Sequence, residues 1–186
     1  DVTAPNPPVI TFPEQSQAFM VSPNVVQGTA ERFSQVRVYE GETLLAQGTA
    51  DATGAFSFGL STVFPDGAHM IHAYAKDAAG NESARSPYTV FYMDLYPPEP
   101  PVITSPVDGE ILSSGVFVIA GEAEPGILVT VLLDNGAVGY DFVDAMGEFS
   151  IFPSQGVGNG SHVLTAVTID DFGRSSEPSD PVGFEV

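Results

Sequence analysis

Pro7-Pro8-Val9-Ile10-Thr11 returns as Pro100-Pro101-Val102-Ile103-Thr104, an offset of 100 − 7 = 93 residues. The same offset, without a gap, carries Gly28 onto Gly121, Ala30-Glu31 onto Ala123-Glu124, and Val36 and Val38 onto Val129 and Val131. It carries Asp51-Ala52, Gly54 and Phe56-Ser57 onto Asp144-Ala145, Gly147 and Phe149-Ser150. Gly67, His69, Ala73, Asp77, Gly80 and Ser83 then fall on Gly160, His162, Ala166, Asp170, Gly173 and Ser176. A gapless register across the whole unit marks two copies of one domain. The unit is too long for a solenoid repeat and has the length of a β-sandwich.

The copies are read as residues 1–94 and 95–186, joined by Asp94-Leu95-Tyr96-Pro97-Pro98-Glu99-Pro100-Pro101. Prolines in that stretch forbid helix, remove backbone donors and predict a semi-rigid linker. Within a copy the period is two. Val36, Val38 and Glu40 share one face, and Gln35, Arg37 and Tyr39 the other. Phe56 and Phe58 flank Ser57 in the same way. Glu40-Gly41-Glu42, Asp51-Ala52-Thr53-Gly54, Asp66-Gly67 and Asp77-Ala78-Ala79-Gly80-Asn81 are turn chemistry. Between these breaks, strands are expected over 8–12, 24–30, 35–40, 43–50, 55–60, 68–76 and 87–93. No segment keeps a helical spacing. The expected fold is all-β: two tandem immunoglobulin-like sandwiches of about seven strands each.

Composition narrows the function. Five Lys and Arg against 24 Asp and Glu give a net charge of −19, which repels nucleic acid and anionic membranes. There is no Cys and no Trp, so the Cys–Trp–Cys core of antibody domains is absent. No apolar run approaches about 20 residues, so no membrane insertion is expected. The abrupt start at Asp1-Val2-Thr3-Ala4-Pro5 reads as an internal fragment.

Several stretches resemble bacterial Ig-like repeats. They are Val26-Gln27-Gly28-Thr29-Ala30-Glu31, the run from Ala50 to Phe58, and the run from Asp66 to Ser83. Copy two carries Ala120-Gly121-Glu122-Ala123-Glu124-Pro125-Gly126 and Asp144-Ala145-Met146-Gly147-Glu148-Phe149-Ser150. It departs at the last motif, where Asp170-Asp171-Phe172-Gly173-Arg174 replaces Asp77-Ala78-Ala79-Gly80-Asn81. The resemblance implies a module of large surface adhesins and biofilm proteins, extracellular, which extends and rigidifies a stalk. It also implies Ca²⁺ near domain junctions.

The acids bear on that ion. Asp1, Glu31, Asp51 and Asp77 fall on Asp94, Glu124, Asp144 and Asp170, all at the pole where the chain enters each copy. Acids at the opposite pole do not repeat: Glu14, Glu40, Glu42 and Asp66 fall on Val107, Leu133, Asn135 and Asn159. Ca²⁺ takes six to eight hard oxygens. The expected junction site is Asp94, Glu124 and Asp170 with Asp171, and its N-terminal counterpart is Asp1, Glu31 and Asp77. Turn chemistry is the competing reading of the same acids, and Asp51 and Asp144 are assigned to Asx turns.

No nucleophile elbow, phosphate loop or His-rich metal motif is present, and no catalytic residue is expected. His69 and His162 are equivalent and are read as structural. His69 and His72, three apart on a strand, face opposite sides and share no metal. The expected partners are neighbouring repeats and a host or cell-surface ligand, with a monomeric state. A glycan- or protein-binding module, marked by exposed Phe33, Tyr140 and Phe172, is the second reading. An accessory domain of a secreted hydrolase is the third.

Overall fold

The computed structural model describes residues 2–186 and divides into two compact units, Asp1–Tyr96 and Pro97–Val186. Every regular element is a strand.

Unit one contains β1 (Val9–Phe12), β2 (Gln17–Phe19), β3 (Val25–Thr29), β4 (Gln35–Glu40), β5 (Thr43–Thr49), β6 (Ala55–Gly59), β7 (Gly67–Lys76) and β8 (Thr89–Met93). Unit two repeats them as β9 (Val102–Ser105), β10 (Glu110–Ile111), β11 (Ile119–Glu122), β12 (Leu128–Leu133), β13 (Gly136–Phe142), β14 (Glu148–Ile151), β15 (Ser161–Ile169) and β16 (Val182–Glu185). Each unit pairs a three-stranded sheet with a five-stranded one. The orders are β1-β3-β6 with β2-β8-β7-β4-β5, and β9-β11-β14 with β10-β16-β15-β12-β13. This is the layering of an Ig-like sandwich.

Each unit has one strand more than the seven expected. The addition is β2 or β10, which pairs in parallel with the last strand of its unit. A run of two or three residues whose partner lies more than seventy positions away leaves no local periodicity to read. The chain changes sheets just before it, at Pro13 and Pro106, each preceded by a cis peptide bond.

The period-two pattern fills the cores. Val26, Val36, Val38, Ala73 and Phe91 are fully buried, as are Ile119, Val129, Val131, Leu164 and Ala166 in unit two. Phe56 and Phe149 occupy equivalent buried sites. Gly28 and Gly121 lie beneath those rings. A Cβ there would stand 2.2 Å from the Val9 or Val102 carbonyl oxygen and under 2.5 Å from the phenylalanine ring.

Buried serines extend the ladder beyond the β7 and β15 loops. Ser83 and Ser86 Oγ accept from the Ala75 and Ala73 amides, both at 2.9 Å. Ser176 and Ser179 Oγ accept from the Thr168 and Ala166 amides, both at 3.0 Å. Each side chain thus satisfies a backbone donor that would otherwise be buried without a partner.

Candidate functional site

The repeated aspartates close their own loops. Asp51 Oδ1 accepts from the Thr53 amide at 2.7 Å, the Thr53 hydroxyl at 2.6 Å and the Ala55 amide at 3.0 Å. Asp144 Oδ1 accepts from the Met146 and Glu148 amides at 2.8 and 2.9 Å. Both are Asx-type turns. The Thr53 side chain first, then the amides, hold the Asp51 carboxyl below the ordinary range; the Glu148 and Met146 amides do so for Asp144.

Asp77 and Asp170 do the same between β7 and β8 and between β15 and β16. Asp77 Oδ1 accepts from the Asn81 amide and Oδ2 from the Asn81 side-chain amide, both at 2.8 Å. Asp170 Oδ1 accepts from the Phe172 and Arg174 amides at 2.9 and 2.8 Å, and Oδ2 from Arg174 Nε at 2.7 Å. Burial is the largest single influence on Asp170 and would raise its pKa. The Arg174 amide, its guanidinium and the Phe172 amide together outweigh it and leave the carboxyl below the ordinary range. Arg174 in place of Asn81 thus gives copy two a positive charge inside the loop.

Glu31 and Glu124 are exposed at the turns before β4 and β12, where their backbone carbonyls receive the Ser34 and Ile127 amides. Asp171 is exposed and Asp94 partly buried, its amide bonded to the Phe19 carbonyl. Asp1 lies outside the described residues. Among the described residues, no three Asp, Glu or His side chains form a group that could hold a metal ion. The oxygens of Asp77 and Asp170 that a metal would take are turned into their own loops.

A second repeated constellation lies at the opposite pole and was not legible in the residue pattern. His69 Nδ1 meets Glu40 Oε1 at 2.7 Å and its Nε2 meets the Pro65 carbonyl at 2.8 Å. His162 Nδ1 meets Asp134 Oδ2 at 2.7 Å and its Nε2 meets the Gly158 carbonyl at 2.9 Å. Glu40 falls on Leu133 in the repeat, so the acid appeared unrepeated. The interaction is kept while its source moves one residue along, into the Asp134-Asn135 turn. Both turn residues have positive φ, 49° and 69°, as a two-residue hairpin of this kind requires. The Asp134 side-chain bond and the Gly158 carbonyl raise the His162 pKa, and the bonds from His162 and the Val163 amide lower that of Asp134.

His72 faces the other side of β7 from His69. Its ring packs among Tyr39, Tyr74 and Tyr88, with centroids 5.3 to 5.8 Å away. Burial first, and the charge of Arg85 second, lower its pKa. Of the aromatics expected at the surface, Phe33 is 62% and Tyr140 74% exposed, while Phe172 is only partly exposed beneath the Arg174 guanidinium.

Residues 13–91 match a family model, that of the bacterial Ig domain. Over those residues the first unit is similar to a bacterial Ig domain. The second Ig unit is its repeat, with the same strand order and equivalent core positions. Among solved structures, the chain is similar to the fibronectin(III)-like modules of Clostridium thermocellum CbhA, at 22% identity over 96% of this chain and 93% of that one, with a TM-score of 0.43. It is similar to the BSP domain of a biofilm associated protein, at 22% identity over 96% of this chain and 29% of that one, with a TM-score of 0.39. It is also similar to a 1.5-MDa bacterial ice-binding adhesin, at 18% identity over 97% of this chain and 62% of that one, with a TM-score of 0.44. No curated protein matches the chain.

Proposed function

We propose that the two Ig units are a non-catalytic extender of a bacterial surface or secreted adhesin, outside the cell. The duplication carries this reading. Both copies keep the core, the capped loops and the buried serines, and these are devices of folding and not of chemistry. An extender needs stable units of defined length, and its surface is free to vary. The test is replacement of the 186 residues, within the surface protein that carries them, by an unrelated pair of β-sandwiches. Restored adhesion supports extension. Lost adhesion with normal display on the surface assigns binding to this chain and overturns the reading.

Calcium enters as a proposal for the exposed carboxylates of Glu31, Glu124 and Asp171, which make no bonds of the kind that occupy Asp77 and Asp170. Thermal unfolding in EDTA, Ca²⁺ and Mg²⁺ tests it, because an ion that binds only the folded state raises Tm. A Ca²⁺-specific rise that Glu124→Ala abolishes supports the ion. Identical melting in the three buffers removes calcium and leaves the extender role standing.

A further inference from the structure

The two Ig units differ at the outer face of β9-β11-β14 and its rim on β13. In unit one the equivalent surface is uncharged apart from Asp51, the counterpart of Asp144: it carries Gln27, Thr29, Gly48, Thr49 and Ala55, with Gln27 Nε2 reaching across to Ser57 Oγ at 3.3 Å. In unit two the same positions are Ala120, Glu122, Asp141, Phe142 and Glu148. In unit two this surface holds a shallow concavity of about 370 Å³ whose lining includes Thr104, Ala120, Ser150 and Phe142. Two residues before Phe142 on β13, Tyr140 stands where unit one has Gln47, and in the turn between β13 and β14 Met146 stands where it has Thr53. Phe142 is 65%, Tyr140 74% and Met146 83% exposed.

Unit one shows that the fold does not need these apolar groups, since Gln47, Thr49 and Thr53 serve in their places. Two aromatic rings and a methionine held in water gain nothing from the core, and neighbouring exposed apolar groups of this kind are a feature of interaction surfaces. The carboxylates alone would be a solvated face; it is the uncharged changes beside them that mark a docking surface. Backbone pairing is not its mode. On β13 the Val138 carbonyl already receives the Ser154 amide at 3.0 Å, and the Phe142 amide is capped by Asp141 Oδ1 at 2.8 Å. With these two groups occupied, recognition is expected to run mainly through side chains.

We propose that this face docks an extended, basic peptide segment of a partner protein. Lys and Arg have aliphatic stems that lie along apolar surface and cationic heads that favour aromatic faces and carboxylates. Tyr140 and Phe142 supply the faces, and Glu122, Asp141 and Glu148 the carboxylates. A second copy of this chain, at −19, is opposed by charge. The proposal goes beyond the extender reading: the replacement experiment asks whether adhesion itself needs this chain, and a docked peptide segment need not be the adhesive contact.

The test uses the full chain and a fluorescent peptide of alternating Lys and Gly, read by anisotropy in about 150 mM salt, where exposed charges are screened beyond about 8 Å. Tyr140→Gln with Phe142→Thr installs unit one's residues without changing the net charge, and Glu122→Thr with Glu148→Ala does so for the acids. Melting curves confirm that both variants fold. Each pair is expected to weaken binding about tenfold, on the scale of losing one cation–π or ionic contact to a desolvated head. Removing two acids in unit one, Glu14→Gln with Glu42→Gln, is expected to change it little. Equal binding by the Tyr140/Phe142 variant would show only diffuse attraction to an acidic protein and would overturn the proposal. So would absence of peptide binding, or binding of a neutral oligosaccharide in its place that the same variant abolishes.

Discussion

Gly28 and Gly121 sit where β1 and β9 cross closest to a buried phenylalanine ring. A methyl group added at either position has no free direction, because backbone oxygen closes one side and the ring the other. Gly28→Ala and Gly121→Ala are expected to destabilise their units by about 1–3 kcal/mol, the range for overpacked cores. Urea unfolding of the two single variants measures it, and a loss under half a kilocalorie would show that the sheet yields more readily than the contacts imply. The buried serines make a second case. Ser86→Ala and Ser179→Ala each strand a buried amide, at a cost of about 1–3 kcal/mol. Ser86→Thr keeps the acceptor and separates that loss from a change of shape. The repetition of Ser83 as Ser176 was visible in the residues. Its reason was not, because a serine that replaces a strand's carbonyl is spelled no differently from one in a loop.

The strands were legible wherever Val36, Val38, Phe56 or Phe58 alternated with polar neighbours, since burial on one face enforces period two. Connections were legible only in part. Asp51 and Asp144 announce Asx turns through the glycine that follows them. The acid that meets each histidine does not announce itself, because Glu40 and Asp134 occupy different positions on the β4–β5 and β12–β13 hairpins. The sign of the pH effect at His162 follows from its raised pKa. Below the unfolded value of 6.5 the pair's contribution is fully present, and it is lost as pH rises through the higher folded value. Asp134, lowered from 3.8, contributes above that value and loses its share as pH falls through the folded one. The pair therefore stabilises unit two between the carboxylate range and the folded histidine value. An NMR titration is expected to place the His162 midpoint above 6.5, and Asp134→Asn to bring it down. An unshifted midpoint in the unmodified chain would refute the pairing in solution.

Across the molecule the dominant electrostatic fact is a charge of −19 with five cationic side chains. Self-repulsion of this kind opposes compaction, and salt relieves it. Raising NaCl from about 0.01 M to about 1 M shortens the screening length from about 30 Å to about 3 Å. Calorimetry over that series is expected to show Tm rising. A fall would mean that local pairs such as Arg174 with Asp170 outweigh the repulsion. At this scale the duplication was readable from Pro7 onward, because an unbroken offset needs no knowledge of packing. Of the docking face only Tyr140 was readable, as an exposed aromatic; Phe142 was not, because it follows the same alternation as core residues, and only the placed sheet shows which side is wet.

The scarcity of basic residues has a further consequence, in proteolysis. A trypsin-like protease cuts after Lys or Arg, and beyond Arg85 the chain offers only Arg174. That residue is partly buried and holds Asp170 within a closed loop. Secreted proteases of this specificity would find the second Ig unit almost without a cleavage point, and the stretch from Ser86 to Arg174 would survive as one piece. In the extracellular role proposed above, the scarcity of cleavable residues would add to the protection that folding gives.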